Sequence, residues 1–223
     1  MRGVFVTGTD TGVGKTVVAG AICAALAARG QRVAAFKPAV TGIDEPADDL
    51  WPRDHELLAQ AAAGGQTADD VTPYLFGPPL SPDYAARLAE TAIDPAHLRE
   101  RACQLSAGAD VLVCEGVGGL LVPLTERYSV RELAADLDLP VVVVARTGLG
   151  TINHTRLTVE AARAAGLDVV GIVMTPWSDP KPIEESNRAT VEHLTGVRVS
   201  VLGPTTPASL ASAGASLPLD EWL

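Results

Sequence analysis

The chain has 223 residues, of which 47% are hydrophobic, so it is long enough to form one α/β domain (residues 1–223) around a sizeable core. Its 27 acidic and 17 basic residues give a formal net charge of −10, which argues against nucleic acid or an anionic membrane as a partner. The longest apolar runs, such as 141–145, have the length of a strand and are too short to span a bilayer.

The cysteines and the first residues indicate the compartment. Cys23, Cys103 and Cys114 are odd in number, far apart and without the spacing of metal ligands, which is typical of small core or helix residues in a reducing environment. Met1 and Arg2 lead directly into the first predicted strand, so we expect no secretory leader. We therefore predict a cytoplasmic protein.

Apolar segments of strand length alternate with segments of helix length. Strands are predicted at 3–7, 32–36, 110–115, 140–146, 169–174 and 197–202. Helices are predicted at 15–29, 54–63, 95–107, 130–136, 151–165 and 182–194, and irregular segments at 41–53, 64–82 and 177–182. The later strands are almost uninterrupted Val, Leu and Ile, as in a parallel sheet covered on both faces. The pattern predicts an α/β fold with a three-layer, doubly wound, mostly parallel sheet, and places functional residues at the carboxyl ends of its strands.

A glycine-rich loop joins the first strand to the first helix. Residues 8–16 read Gly-Thr-Asp-Thr-Gly-Val-Gly-Lys-Thr. In this context backbone N–H groups and a helix N-terminus suit a chain of phosphates, Lys15 reaches the β- and γ-phosphates, and the Thr16 hydroxyl binds Mg²⁺. The loop has one residue more between its glycines than the usual spacing, and Thr9 and Thr11 add hydroxyls. It predicts a phosphate-loop NTPase-like fold.

Charged residues also end two other predicted strands. Lys37 follows strand 32–36 and is interpreted as a second cation facing the γ-phosphate; the alternative is an end-of-strand charge that reaches solvent. Glu115 ends strand 110–115, in the form of the acidic motif that assists Mg²⁺ in phosphate-loop enzymes. The alternative is an acidic terminus before a plain turn. The four residues 116–119, Gly-Val-Gly-Gly, are interpreted as a second glycine turn that approaches the nucleotide.

Asp54 is a further candidate metal ligand. Several acidic residues crowd the segment after Lys37, and most of them are interpreted as a solvated loop, whereas Asp54 can open the helix 54–63. Mg²⁺ takes one or two carboxylates together with phosphate oxygens, so Thr16, Asp54 and Glu115 form a sufficient set. Spacing alone leaves Asp54 undecided between a ligand and a solvated acid.

These motifs, in this order, resemble dethiobiotin synthetase along nearly the whole chain. The matching pieces are residues 6–16, Lys37-Pro38, Thr41-Gly42, Asp54, Ser81-Pro82, residues 115–119, residues 149–154 (Leu-Gly-Thr-Ile-Asn-His) and residues 202–204 (Leu-Gly-Pro). The resemblance implies an ATP- and Mg²⁺-dependent cyclo-ligase of biotin biosynthesis that works as a homodimer. Such an enzyme carboxylates 7,8-diaminononanoate with CO₂ and closes the ureido ring to give dethiobiotin, with release of ADP and phosphate.

The resemblance also implies roles for individual residues. The catalytic residues would be Lys15, Lys37 and Thr11, and the metal ligands Thr16, Asp54 and Glu115. The nucleotide-binding residues would be Gly12, Val13, Gly14, Lys15, Thr16, Val17, Asp54, Glu115, Gly116, Val117, Gly118, Thr175, Pro176, Pro204, Thr205 and Thr206. The substrate-binding residues would be Thr41, Ser81, Gly150, Thr151, Ile152 and Asn153, the last four reached from the other subunit, so that the substrate site lies at the subunit interface.

Two peripheral positions depart from the family pattern. Many members carry Asn-Asp after the fifth strand, where the amide reads adenine, whereas this strand ends Met174-Thr175-Pro176-Trp177. We therefore expect ATP as the nucleotide, with other nucleoside triphosphates able to substitute. The family's aromatic position near the partner subunit's substrate corresponds to Asn187.

The alternative is a partition-type phosphate-loop ATPase, a switch protein. Such ATPases carry a second lysine five residues before the Gly-Lys lysine, where this chain has Asp10. The segment 211–223 also lacks a basic amphipathic helix for membrane attachment. An amidoligase would need an attached glutaminase domain, which argues against that class. A nucleotide-binding module without catalytic activity is also disfavoured, because it would give no role to Lys37 and the predicted metal ligands.

Overall fold

The computed structural model describes residues 1–46, 48 and 50–223. In chain order the strands are β1 (Gly3–Gly8), β2 (Val33–Phe36), β3 (Val40–Thr41), β4 (Leu75–Phe76), β5 (Val111–Gly119), β6 (Pro123–Thr125), β7 (Tyr128–Ser129), β8 (Val141–Ala145), β9 (Val169–Met174) and β10 (Val199–Val201). The helices are α1 (Lys15–Ala28), α2 (Asp54–Ala62), α3 (Ala68–Val71), α4 (Pro82–Leu88), α5 (Pro95–Ala107), α6 (Val130–Leu137), α7 (Thr151–Ala164), α8 (Pro182–Thr195), α9 (Leu210–Gly214) and α10 (Leu219–Trp222), with a 3-10 helix at Pro207–Ser209.

Six strands form a central parallel sheet in the order β10-β9-β8-β1-β5-β2. The chain builds outward from β1 in both directions, to β5 and β2 on one side and to β8, β9 and β10 on the other. In open α/β sheets a ligand crevice forms at the carboxyl ends of the strands where the strand order changes direction. The loops after β1, β2, β5 and β8 therefore define the site.

Helices cover both faces of this sheet. Val4 and Val6 of β1 pack in a cluster with α1, α2, α9 and α10, whereas Phe5 packs in a second cluster with α5 to α8. Successive strand residues point to opposite faces, and both faces are buried, which explains why these strands are apolar throughout. Helix α9 approaches α1 closely at Gly214, where a Cβ would lie only 2.0 Å from the carbonyl oxygen of Ala21.

The structure confirms the predicted fold class and the six strands of the central sheet, and it differs in the short elements. The predicted irregular segment 64–82 contains α3 and β4, and α4, the β6–β7 hairpin, α9 and α10 are additional. These elements have two to seven residues, which is too short to show a helical or strand period.

The second glycine turn is a correction. Residues 116–119 continue β5 to Gly119, with a shift of register opposite the end of β1. Three glycines in four residues indicate a turn from sequence, but pairing of Gly119 with Gly8 of β1 keeps the segment in the strand, although Gly118 has a left-handed φ of 62°. Glu115 therefore lies within a strand and not at its end.

Local sequence explains where two helices begin. Ser129 and Glu132 form a capping box at α6, and Asp94 accepts a hydrogen bond from the Ala96 N–H ahead of Pro95, the first residue of α5.

Within the described residues, no helix has both the length and the apolar character needed to cross a bilayer.

Candidate active site

The phosphate loop occupies residues 9–14, between β1 and α1. Gly12 and Gly14 have φ angles of 71° and 96°, in the left-handed region that favours glycine. A Cβ on Gly14 would also lie 2.7 Å from Cγ2 of Thr175, so this position has room for glycine alone. The loop thereby brings its backbone and the N-terminus of α1 to one point, as an anion site requires.

Lys15, the first residue of α1, folds back over this loop. Its side chain is buried, with 6% of the residue exposed, and its Nζ donates to the Asp10 carbonyl oxygen at 2.8 Å. Burial lowers the pKa of Lys15 below its usual value, against the opposing charge of Glu115. A poorly solvated ammonium beside the loop favours binding of an anion that replaces the lost water.

Lys37 lies at the end of β2 and is the second buried cation. Its Nζ is 2.8 Å from Asp54 Oδ2 and 2.5 Å from Glu115 Oε1. Burial by itself lowers the pKa of Lys37, but the two carboxylates raise it well above its usual value. Lys37 therefore stays charged at neutral pH, and the alternative of a charge that reaches solvent is excluded, since only 3% of it is exposed.

Thr16, Asp54 and Glu115 form one hydrogen-bonded group around Lys37. The Thr16 hydroxyl donates to Glu115 Oε1 at 2.9 Å, while Glu115 Oε2 is buried without a partner among the described residues. Burial raises the pKa of Glu115 in spite of Lys37, whereas Lys37 lowers the pKa of Asp54. A free carboxylate oxygen, a second carboxylate and a hydroxyl are hard oxygen donors, and this set fits Mg²⁺.

These groups line one cleft of about 700 Å³. Most of the predicted site residues border it, namely Thr11, Gly12, Gly14, Lys15, Thr16, Val17, Lys37, Thr41, Asp54, Ser81, Glu115, Val117 and Gly118. Two of the predicted nucleotide-binding residues, Val13 and Gly116, lie next to residues that border the cleft but face the core. Val13 packs in the core, and a Cβ on Gly116 would meet Cγ1 of Val130 at 2.8 Å.

Sequence reasoning missed the apolar wall of this cleft. The wall is formed by Ala39, Trp51, Pro52, Leu57, Pro79, Leu80 and Val122. Arg53, in the segment interpreted as a solvated acidic loop, donates to the carbonyl oxygens of Gly42 and Glu45 and so holds the start of that loop against α2. A single Trp or Arg in a Pro-rich and Asp-rich stretch forms no periodic pattern. The sequence therefore could not predict that Trp51 lines the cleft or that Arg53 holds the loop.

The residues predicted to contact the base lie outside this cleft. Thr175 is buried beside Gly14, and Pro176 follows it through a cis peptide bond. The hydroxyls of Thr205 and Thr206 both lie within hydrogen-bond distance of Ser209 Oγ, at 2.8 and 3.0 Å, in the 3-10 helix. These hydroxyls therefore serve local structure.

The four residues predicted to bind the substrate carboxylate open α7, away from the cleft of their own chain. Gly150 precedes the helix with φ 89°, while Ile152 is partly exposed and Asn153 is exposed. Thr151 differs, because it is fully buried and its hydroxyl donates to the Arg146 carbonyl oxygen at 2.6 Å. Its N–H donates to the Gly148 carbonyl oxygen at 3.3 Å, so both polar hydrogens of Thr151 are used within its own subunit.

The placement of Asn187 at a partner-facing position is also corrected. Asn187 is 5% exposed, and its Nδ2 donates to the carbonyl oxygens of Thr147 and Gly148 at 2.9 and 3.3 Å. The Asn187 amide thus binds a loop of its own subunit. An aromatic side chain has no carboxamide and could not make both of these hydrogen bonds.

The fold and the phosphate loop define the class of the protein, an α/β phosphate-loop NTPase. The chain resembles the cell division ATPase MinD of Pyrococcus furiosus, with a TM-score of 0.61 and 19% identity over 99% of this chain and 98% of that chain. It also resembles a ParA family ATPase of Chlorobium tepidum, with a TM-score of 0.55 and 12% identity over 96% of this chain and 90% of that chain. At these identities the likeness concerns the fold alone. Residues 2–206 match the AAA domain family.

Sequence relatives narrow this class to one family. The ATP-dependent dethiobiotin synthetase BioD of Anaeromyxobacter dehalogenans is 47% identical over 211 residues, which cover 93% of this chain and 92% of that protein. The Bacillus subtilis protein of the same name is 38% identical over 206 residues, which cover 92% and 87%. The chain belongs to the ATP-dependent dethiobiotin synthetase family, a family of ATP-dependent cyclo-ligases, and the resemblance inferred from its motifs is confirmed.

Proposed function

We propose that the chain joins CO₂ to 7,8-diaminononanoate and closes the ureido ring of dethiobiotin, with ATP converted to ADP and phosphate. One observation carries this proposal. Two buried lysines, Lys15 and Lys37, meet two carboxylates and a hydroxyl on the wall of one cleft that also has an apolar side. A cleft of this kind can hold a polyphosphate and an alkyl diamine side by side.

The chemistry gathers negative charge at each stage. One substrate amine attacks CO₂ and loses a proton to give a carbamate. A carbamate oxygen then attacks the γ-phosphorus of ATP, and ADP leaves. The second amine attacks the carbon of this mixed anhydride, loses its proton and expels phosphate. Fixed cations and N–H donors aimed at these oxygens stabilise the transition states more than the neutral ground state of the diamine.

Three side chains supply those charges and donors. Lys37, held charged by its two carboxylates, would face the carbamate and the γ-phosphate. Lys15 would leave the Asp10 carbonyl oxygen to contact the β- and γ-phosphates. Thr11 lines the same cleft and would donate its hydroxyl to a reacting oxygen. Together they would orient the two anionic reactants and exclude water from the mixed anhydride.

Thr16, Asp54 and Glu115 would hold Mg²⁺. When bound, the metal would supply positive charge that offsets the negative charge of the ATP phosphates. The buried Glu115 Oε2 without a partner supports this assignment, because a buried carboxylate oxygen with no donor is costly. Asp54, 45% of whose side chain is exposed, faces the cleft from the start of α2.

The substrate would lie along the apolar wall, with its amines near Thr41 and Ser81. Its carboxylate would then reach residues 150–153 of a second subunit in a cytoplasmic homodimer. Two large exposed apolar side chains on and beside α7 support such contact, since Leu149 is 81% and Leu157 57% exposed.

A direct assay tests this proposal. ATP turnover is measured with diaminononanoate and bicarbonate together, and with each omitted, while dethiobiotin is detected by mass. We expect ADP formation to require both compounds and to match dethiobiotin in amount. ATP turnover that is indifferent to both would instead favour the partition-type switch, whose relatives are only distant structural neighbours of this chain.

A further inference from the structure

The amide of Asn187 makes two hydrogen bonds to one loop, and none of the roles above uses it. Asn187 lies on α8, and its Nδ2 donates one hydrogen to the Thr147 carbonyl oxygen at 2.9 Å and the other to the Gly148 carbonyl oxygen at 3.3 Å. A carboxamide nitrogen carries two hydrogens, so a single side chain can hold two consecutive carbonyl groups. This loop leads into α7.

Holding the carbonyl groups also fixes the direction of the N–H groups that follow. A trans peptide is planar, with its C=O and N–H on opposite sides. The N–H groups of Gly148 and Leu149 must therefore point away from Asn187. Neither of them donates a hydrogen bond to an acceptor in the described part of the chain, and Leu149 is exposed at the surface.

Three further bonds hold the same loop from within the subunit. In one of them the Thr151 N–H donates to the Gly148 carbonyl oxygen at 3.3 Å. The Thr147 hydroxyl donates to Glu184 Oε1 at 3.1 Å, which adds a second contact to α8. The Thr151 hydroxyl donates to the Arg146 carbonyl oxygen, which joins the start of the loop to α7. The loop is thus anchored on its inner side, while the N–H groups of Gly148 and Leu149 have no acceptor among the described residues.

We infer that Asn187 is a positioning residue for recognition of the substrate carboxylate, and that the N–H groups of Gly148 and Leu149 belong to that site. The inference rests on the proposed function, which assigns the carboxylate to residues 150–153. It adds two donors before the helix N-terminus and explains why an amide stands at position 187. Hydrogen bonds to a charged group are stronger than neutral ones, so their alignment affects binding.

The experiment compares two substrates and two matched variants. The substrates are diaminononanoate and its methyl ester, which lacks the negative charge. Asn187→Leu keeps the branching and the number of heavy atoms of the side chain and removes both hydrogen bonds to the loop. The control, Thr195→Val, removes a buried hydroxyl of the same helix that donates only to the Val191 carbonyl oxygen within α8 and accepts from the Val197 N–H. The readouts are kcat, KM for each substrate, KM for ATP and the melting temperature.

We expect Asn187→Leu to raise KM for the acid about 10-fold, the effect of roughly one lost hydrogen bond to a charge. Its KM for the ester and for ATP should stay at the wild-type value. Thr195→Val should lower the melting temperature without changing the ratio of the two substrate KM values. Equal increases for acid and ester, or no increase for the acid, would overturn the inference.

Measurements on the wild-type protein distinguish a failure of this inference from a failure of the proposed function on which it rests. Formation of dethiobiotin with no preference for the acid over the ester would overturn the carboxylate site and the role of Asn187, while the proposed reaction would stand. Absence of dethiobiotin would overturn the reaction itself. If Asn187→Leu does not fold, Thr147→Val removes the second contact to α8, and we expect the same selective increase at about 3-fold; an unchanged ratio would overturn the inference.

Discussion

The Lys37 ammonium lies 2.5 Å from Glu115 Oε1, in a place where the side chains are 4% and 0% exposed. Either charge alone would be costly at this depth, because burial removes its hydration. The pair thus connects the end of β2 to β5 and brings a cation and a proposed metal ligand into direct contact. Changes at one residue will therefore affect the other.

The first prediction separates the two lysines. Lys15→Ala should weaken nucleotide binding and abolish turnover, since Lys15 contacts the phosphate loop itself. Lys37→Ala should retain measurable nucleotide binding yet lose turnover by about 10²-fold or more, because its charge acts on the developing phosphoryl–carbamate anion. Binding is measured by calorimetry with a nonhydrolysable ATP analogue, and turnover by ADP release.

Arg29→Ala serves as the control, because Arg29 pairs with Asp220 at the surface, away from the cleft. It should leave both quantities unchanged. Normal turnover in Lys37→Ala would show that Lys37 does not face the reacting oxygens.

The second prediction concerns the metal. Glu115→Gln keeps the shape of the side chain and removes its charge, so the Mg²⁺ concentration for half-maximal turnover should rise by about 10-fold or more. The matched variant Asp110→Asn changes an exposed acid one residue before β5, which in the described part of the chain forms an ion pair with Arg32 alone. It should leave the Mg²⁺ dependence unchanged. An unaltered Mg²⁺ requirement in Glu115→Gln would remove Glu115 from the ligand set.

The sequence predicted the parts of the site that depend on local patterns. The phosphate loop and Lys37 each follow a strand and Glu115 lies within β5, and parallel strands place their carboxyl ends together, so their meeting at one cleft could be foreseen. The structure places Asp54 2.8 Å from the Lys37 ammonium, which spacing could not show, while its role as a metal ligand stays a prediction.

The rest depends on contacts between distant segments. Asn187 was interpreted by alignment with an aromatic position, but the depth of α8 against the loop 147–148 makes it a buried donor. Similarly, pairing with β1 makes the glycine-rich residues 116–119 part of strand β5. Neither a register shift nor the burial of a single amide produces a periodic pattern of residues, so the sequence alone could not predict them.

The third prediction tests the capping box of α6 through pH. Burial alone raises the pKa of Glu132, but hydrogen bonds from Ser129 and Arg131 lower it to about 2, from a usual value of 4.5. A pKa that is lower in the folded state stabilises the protein above about pH 4.5, and this contribution is lost as the pH falls toward 2. Glu132→Gln should thus lower the free energy of unfolding at pH 7 by about 0.5–1 kcal/mol, since solvent screens this half-exposed group.

Urea unfolding at pH 7 and pH 3 measures this difference. It should shrink at pH 3, whereas Glu126→Gln, in the exposed turn before α6, should show no difference at either pH. A difference that stays constant between the two pH values would mean that the charge of Glu132 does not contribute.

The fourth prediction concerns the homodimer. If residues 150–153 serve the substrate of the neighbouring subunit, Lys15→Ala and Asn153→Asp should each be inactive alone. The second variant places a like charge beside the carboxylate. Mixing the two should restore part of the activity, because a hybrid dimer combines one intact phosphate loop with one intact carboxylate site. No recovery after subunit exchange, verified by mass spectrometry of the mixed dimers, would indicate a site built from one chain.

The last prediction concerns the nucleobase. A site discriminates strongly between bases when a buried amide must pair with the right edge, and weakly when its contacts are apolar or through the backbone. At the family's asparagine position stands Thr175, which packs on Gly14, followed by Pro176, which has no N–H. The hydroxyls of Thr205 and Thr206 bond within their own turn. Trp177 is partly buried against the α7–α8 side of the core, and because every base has a face on which an aromatic ring can stack, such a contact would not distinguish the bases.

The phosphate loop itself is indifferent to the base. We therefore expect ATP to work and CTP, GTP and UTP to support turnover within roughly 10- to 100-fold of it, the small discrimination of a pocket with few polar contacts. Measurement of kcat/KM for the four nucleotides at one Mg²⁺ concentration checks this. An ATP preference above about 10⁴ would require matched polar contacts to adenine, and hence a reader elsewhere in the chain.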